Sequence, residues 1–221
     1  MTPPYTGIGR IGDSALAARL GRELSGQVLF DAASRGRYST DASIYQIEPI
    51  GVVVPRDGGD IVRAIQIAAD EGIPLLPRGG GTSQCGQTVG EALVLDVSKH
   101  FAGVIALDVE NRRATVQPGL VLDQLNAYLK PHGLYFPVDV STSSRATIGG
   151  MTGNNSCGAR SIRYGRMVEN VHAIDALLAD GSKLHFGQLP KDFQAADIPA
   201  HFRDIAAPLL DLGRREATEI T

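Results

Sequence analysis

The sequence has few of the features that mark several whole classes of protein. Its 221 residues include only two cysteines, Cys85 and Cys157, too few for a disulfide scaffold or a four-ligand zinc site. Its longest apolar runs, such as Ile50 to Val54, are far shorter than the ~20 residues needed to cross a bilayer. The first residues, Met1 to Pro4, lack the basic patch and apolar run of a secretory signal. We therefore expect a reduced, cytoplasmic protein without a membrane span.

The sequence also lacks a strong excess of charge of one sign. Its formal net charge is -3 and its pI is about 5.9, which argues against a nucleic-acid backbone as the main partner. Hydrophobic residues make up 43% and charged residues 20%, as in ordinary globular proteins. A chain of this length can bury a sizeable core as one large domain or two small ones.

Periodicity predicts alternating strands and helices after an irregular lead-in, residues 1–45, which holds one amphipathic helix and a polar, loop-like stretch at 34–43. The predicted elements that follow are a strand at 50–55, a helix at 57–70, strands at 74–77, 93–97, 103–108 and 113–117, a helix at 120–130, strands at 171–179 and 183–186, and a helix at 198–216. We place boundaries after residues 45, 100 and 190, with a helical tail at 191–221.

Glycine is the one residue type in excess, with 26 of 221 residues, about 12% against a usual ~7%. Many of these glycines are clustered. The segment Gly7 to Gly12 spells G-x-G-x-x-G, but this pattern carries meaning only between a strand and a helix. No strand precedes it here, so we interpret it as a flexible tail.

The first informative cluster, which we call the first glycine loop, covers residues 78–88. It differs from a nucleotide-cleaving Walker loop because Gln87 stands where the lysine would be and because a strand follows it. Consecutive glycines still let several backbone N–H groups converge on an anion. Thr82 and Ser83 add hydroxyl donors.

The second glycine loop covers residues 146–158. Thr147 is a plausible N-cap, and Gly149 and Gly150 would expose the N–H groups of a helix start to a diphosphate. Asn154 and Asn155 offer donors and acceptors for the edge of a polar ring. Neither loop contains a lysine. Two neutral, donor-rich loops suit a diphosphate that is held and not cleaved, so we expect a cofactor cradle.

The residues of these loops resemble a known family. The order of Pro77 to Ser83, Ala146 to Gly158, Arg163-Tyr164-Gly165 and Ala179-Asp180-Gly181 is similar to that of the PCMH-type FAD-binding domain of vanillyl-alcohol-oxidase-type flavoproteins, over residues 45–187. The likeness is greatest to bacterial FAD-linked D-2-hydroxyacid dehydrogenases: D-lactate dehydrogenase, the flavin subunit of glycolate oxidase, and D-2-hydroxyglutarate dehydrogenase with an added iron–sulfur domain. The stretch 140–150 suits the last type best.

The resemblance implies an α+β fold of two subdomains with FAD between them, and a cap domain that is absent from this chain. Thr82 stands where some relatives carry a histidine tethered to the flavin, so the FAD is expected to be noncovalent. The cofactor-binding residues that the resemblance implies are Arg78, Gly79, Gly80, Gly81, Thr82, Ser83, Gly86, Gln87, Pro137, Asp139, Thr147, Gly149, Gly150, Gly153, Asn154, Gly158 and Val171.

The resemblance further implies oxidation of a D-2-hydroxy acid to the 2-oxo acid by hydride transfer to FAD. The catalytic base and any iron–sulfur cluster would lie outside these residues, so we expect the chain alone to be inactive. The electron acceptor is left open, and membrane association is expected to be peripheral at most, at the inner face. We expect no metal site. The alternative is a non-catalytic FAD-binding electron-transfer module completed by another chain.

Among three arginines after the second glycine loop, Arg160, Arg163 and Arg166, one could face the flavin phosphate or an anionic substrate.

Overall fold

The computed structural model describes residues 9–189 and 198–220, which form two compact units. The first unit runs to Val171 and includes residues 179–181; the second holds residues 172–178 and the chain from Ser182 onward. The elements of the first unit are α1 (Ser14–Glu23), β1 (Gln27–Leu29), α2 (Ala32–Tyr38), β2 (Gly51–Val54), α3 (Gly58–Asp70), β3 (Leu75–Arg78), β4 (Leu93–Asp96), β5 (Val104–Asp108), β6 (Arg113–Val116), α4 (Leu122–Leu129) with a 3-10 turn (Lys130–His132), α5 (Ile148–Gly153), α6 (Ser161–Tyr164) and α7 (Met167–Asn170).

The main sheet of the first unit has the strand order β1-β2-β4-β3. Strands β2, β4 and β3 run parallel, and β1 pairs antiparallel with β2. Every residue of β2 and β4 is buried, which explains why β2 is apolar throughout and β4 is apolar up to its last residue, Asp96. Leu16 and Leu20 of α1 and Ile67 of α3 pack in the same core. Since Arg78 is the last residue of β3, the first glycine loop leaves the carboxyl edge of this sheet.

Over its described residues, 9–45, the lead-in is ordered: the predicted amphipathic helix is present as α1, and the stretch predicted as a loop at 34–43 begins within the helix α2. It supplies α1, α2 and the edge strand β1. Asp13 caps α1 and Asp31 caps α2 through their carboxylates. The helix α2 was missed because six of its seven residues are at least partly exposed, which leaves no apolar stripe to detect. Residues Gly7 and Ile8 of the G-x-G-x-x-G segment lie outside the described residues.

A second core within the first unit gathers α4, α5 and α7. Leu122, Leu125 and Leu129 of α4 face it as predicted, and Met151 and Met167 join them. The hairpin of β5 and β6 packs its partly buried residues on this core. The fold of the first unit is thus a mixture of helices and sheets built around these two cores and a smaller one of Val52, Val54 and Val94.

The second unit consists of the antiparallel strands β7 (Ile174–Leu177) and β8 (Lys183–Phe186) and of the helices α8 (Ala200–Arg215) and α9 (Ala217–Ile220). The ring of Phe186 on β8 lies 5.4 Å from that of Phe202 on α8, centroid to centroid. In this unit β7 and β8 group with the helix that follows them. Within the described residues, no helix combines the length and hydrophobicity of a membrane span.

Candidate cofactor-binding site

The first glycine loop presents a row of unused main-chain donors. Within the described residues, the N–H groups of residues 79–84 donate no hydrogen bond to the protein. Gly81 has φ +63° and Gly86 has φ +75°, a region that favours glycine. Thr82 and Ser83 are partly exposed. The Ser83 hydroxyl donates to Gln87 Oε1, so the free donors of this loop are its N–H groups and the Thr82 hydroxyl. Such a set is suited to an anion, and the cofactor-binding role of these residues stays a prediction.

The second glycine loop closes directly against the first. A Cβ at Gly79 would overlap the Thr147 hydroxyl, and a Cβ at Gly80 would overlap the carbonyl oxygen of Arg145. The side chains of Gln87 and Asn154 also join the loops, with 3.3 Å from Nε2 to Oδ1. The two glycines are therefore required by the close approach of the loops, which lie side by side although they are far apart in sequence.

The second glycine loop does not present the free donors that the sequence predicted. The N–H of Ile148 donates to Leu120 O and that of Gly149 to Pro118 O, both at 2.8 Å. The N–H of Gly150 donates to the Thr147 hydroxyl at 3.3 Å, which confirms Thr147 as the N-cap of α5. The predicted exposure of helix-start amides at Gly149 and Gly150 was wrong, because their acceptors lie in the protein itself. Their place among the cofactor-binding residues stays a prediction.

The glycines of the second loop have different surroundings, so they are constrained in different ways. At Gly149 a Cβ would lie 2.6 Å from Pro118 Cβ and 2.9 Å from Pro118 O, so packing requires glycine there. At Gly153 a Cβ would meet nothing within 4 Å. Gly153 and the neighbouring Asn154 are both exposed. The end of α5 therefore leaves room for a ligand, as a binding surface needs.

Asp139 anchors the end of the second loop. Its carboxylate accepts from Arg160 Nε at 2.9 Å and from Arg160 N at 3.1 Å, and these bonds hold the pKa of Asp139 below its usual range. Gly158 is so close that a Cβ would overlap Asp139 itself. Pro137 is partly exposed. Val171 donates from its N–H to Met167 O at 2.9 Å, at the end of α7.

The three arginines after the second loop have different partners. Arg160 pairs with Asp139, and Arg166 pairs with Glu169 at 2.8 Å. Arg163 lies over the Tyr164 ring, 5.3 Å from its centroid. Two of the three positive charges are thus already balanced by carboxylates.

Residues of the lead-in contact the first glycine loop, and the sequence analysis did not identify these contacts. Thr88 of the first loop donates to the Asp41 carboxylate at 2.9 Å. The Tyr45 ring lies under Gly86, where a Cβ would be 2.6 Å from it. Tyr45 is 51% exposed. No periodic pattern marks these residues; the available signal was a charged residue, Arg78, at the end of the partly exposed strand β3.

The structure also bears on two other kinds of site. No helix follows the first glycine loop, which runs into β4, so the arrangement of a Walker loop is not present. Over residues 9–189 and 198–220, no group of three or more histidine, cysteine, aspartate or glutamate residues could hold a metal ion.

Comparison with known proteins agrees with this geometry. The sequence profile of a family described as "FAD binding domain" matches residues 49–187. The chain is 41% identical over 175 residues to D-2-hydroxyglutarate dehydrogenase of Pseudomonas putida, covering 78% of this chain and 17% of that protein. It is 37% identical over 186 residues to the glycolate oxidase subunit GlcD of Bacillus subtilis, covering 81% of this chain and 39% of that one.

A solved structure of alkyldihydroxyacetonephosphate synthase matches with a TM-score of 0.68 at 19% identity, covering 79% of this chain and 34% of that one. This likeness shows a shared fold. The chain thus spans 17% to 39% of the length of these three proteins.

Proposed function

Because this chain belongs to the FAD binding domain family, we propose that it holds FAD noncovalently, with the diphosphate at the first glycine loop, as part of a flavin-dependent D-2-hydroxyacid dehydrogenase. The observation that carries the proposal is the row of unused N–H groups at residues 79–84, closed on one side by the second glycine loop. Such a row stabilises an anion without needing a lysine.

The residues present fit FAD. The first loop lacks a lysine, as suits a diphosphate that is not transferred. Thr82 has no nucleophilic ring to bond the flavin covalently. The open surface at Gly153 and Asn154 leaves space beside the diphosphate loop for the rest of the dinucleotide.

The flavin supplies the redox chemistry as acceptor of a hydride equivalent from the substrate. The chain's own contribution is to bind and orient. The first loop would bind the negatively charged diphosphate through its N–H groups, with the Thr82 hydroxyl as an added donor, while the Ser83 hydroxyl donates to Gln87. The second glycine loop mainly holds the first glycine loop in position. The ion pair of Asp139 with Arg160 holds the end of the second loop.

The substrate class follows from the names of the relatives. D-2-hydroxyglutarate, D-lactate and glycolate share a 2-hydroxy carboxylate, and we propose that the protein containing this chain oxidises a substrate of this class. The two subdomains are proposed at 46–100 and 101–190, since most residues of one hydrophobic core lie in the first range and all residues of another lie in the second. A cytoplasmic location, peripheral to a membrane at most, remains a prediction that cell fractionation tests.

An absorption spectrum tests the proposal. After incubation with FAD and gel filtration, the chain should retain the two visible bands of an oxidised flavin, and acid precipitation should release the flavin because no covalent bond holds it. A colourless chain that takes up no FAD would overturn the proposal.

The oxidation of a 2-hydroxy acid is tested on the full-length protein that contains this chain. Anaerobic bleaching of the flavin by D-2-hydroxyglutarate, D-lactate or glycolate would support the dehydrogenase. A bound flavin that none of the three bleaches would favour the electron-transfer module.

A further inference from the structure

The Arg78 side chain turns back beneath the first glycine loop and joins it to the lead-in. Its Nη1 donates to Thr88 O at 2.9 Å and to Tyr38 O at 3.2 Å, and its Nη2 donates to Thr40 O at 2.7 Å. The guanidinium carbon also lies 5.3 Å from the centroid of the Tyr38 ring, within range of a cation–π interaction. One side chain therefore binds both ends of the loop region to the segment after α2.

The charge of Arg78 is not neutralised by an ion pair. Within the described part of the chain no carboxylate lies within salt-bridge distance of it, and its hydrogen-bond acceptors there are all carbonyl oxygens. The nearest carboxylates serve other donors: Asp41 accepts from Thr88 and Ser43, and Asp96 accepts from Tyr38 OH at 2.6 Å. An arginine keeps its charge even where burial lowers its pKa, as it does here.

The position of this charge relates it to the candidate cofactor. A Cβ at Gly81 would lie 2.6 Å from Arg78 Nη2, so the guanidinium sits directly against the part of the loop whose N–H groups are free. Buried or half-buried charges are ordinarily paired. The missing partner here would be an anion bound on the loop.

We infer that Arg78 is a positioning residue for a diphosphate, acting through its side chain: it fixes the first glycine loop with free N–H groups and supplies beside them a positive charge that no carboxylate of the described residues pairs with. The inference rests on the proposed function, since FAD is the diphosphate concerned. It assigns the specificity for phosphate to a side chain beneath the loop in addition to the main chain of the loop.

Binding of FAD and of riboflavin, which lacks phosphate, tests the inference by flavin fluorescence. Arg78→Met should weaken FAD binding by about 10- to 100-fold, the range expected for a lost charge-assisted contact, and change riboflavin binding by less than about threefold. Raising the salt concentration should weaken FAD binding more in the wild type than in Arg78→Met. Arg22→Met, at an exposed arginine on α1, is the matched control and should bind both ligands like the wild type.

Arg78→Lys separates charge from geometry. It keeps the charge but not the planar fork that reaches three carbonyls, so FAD binding should be intermediate and its salt dependence should stay that of the wild type. If Arg78→Met does not fold, Arg78→Lys provides the test. Equal losses of affinity for FAD and for riboflavin in Arg78→Lys would overturn the inference.

An Arg78→Met chain that folds and binds FAD like the wild type would also overturn the inference while the proposed function stands. A wild-type chain that binds no FAD would instead overturn the proposed function, and the inference with it.

Discussion

The two glycine loops of this protein have similar compositions and opposite uses of their main chain. In the first loop, the N–H groups of residues 79–84 have no acceptor within the described residues. In the second loop, the N–H groups of Ile148, Gly149 and Gly150 are all bonded to oxygens of the protein. The first loop is therefore built to receive an anion, and the second is built to hold the first in place.

The comparison shows two different reasons why a position can require glycine. Gly81 adopts a positive φ above the Arg78 guanidinium, where the backbone itself is the functional group. Gly149 has no side chain because Pro118 occupies the space. A glycine-rich loop is thus evidence of close approach, but the partner can be a ligand or the protein's own chain. The hydrogen bonds of the N–H groups distinguish the two cases.

The largest effect is expected where the loops touch. Gly80→Ala would force a Cβ onto the backbone oxygen of Arg145, and a backbone cannot rotate away as a side chain does. We expect FAD affinity to fall by about 100-fold, equivalent to the ~3 kcal/mol upper range of overpacking. Fluorescence titration measures the loss. Gly36→Ala on α2, where a Cβ meets nothing within 4 Å, should leave affinity unchanged; equal affinities for the two variants would contradict the account.

A substitution in the second loop should affect stability instead of affinity. Gly149→Ala would press on Pro118 and should lower the free energy of unfolding by about 1–3 kcal/mol. The FAD affinity of the folded chain should change by less than about threefold, because the N–H of Gly149 already bonds within the protein. Urea unfolding and FAD titration of the same preparation measure both quantities. A large loss of affinity with unchanged stability would reverse the roles of the two loops.

The smallest effect is expected at the end of the second loop, where Asp139 holds Arg160. The folded-state pKa of Asp139 is lowered by this pair, so its contribution to stability is present above the ordinary aspartate pKa of about 3.9 and is lost as the pH falls below it. Thermal unfolding of the wild type and of Asp139→Asn should therefore differ slightly near pH 7 and converge in acid. A difference that grows as the pH falls would contradict this sign.

Much of the first unit could be predicted from sequence because its signals are local. Asp57 followed by an apolar stripe predicts α3, and Asp57 does cap that helix. The apolar runs at 50–55 and 93–97 predict strands, and β2 and β4 lie there as buried, parallel neighbours. Thr147 before the apolar Ile148 predicts an N-cap, and Thr147 does cap α5.

The use of each main-chain donor could not be predicted, since it depends on distant acceptors. The carbonyl oxygens of Pro118 and Leu120 that bond Gly149 and Ile148 leave no mark in the sequence of the second loop. The helix α2 and the contact of Tyr45 with Gly86 were missed for the same reason. They arise from packing between segments that carry no shared pattern.

Amide hydrogen exchange with and without FAD tests the central claim most directly, because it reports each N–H group separately. The account predicts that FAD slows exchange at residues 79–84, while Ile148, Gly149 and Gly150 exchange slowly in both states. Protection that FAD confers on residues 148–150 and not on residues 79–84 would contradict it.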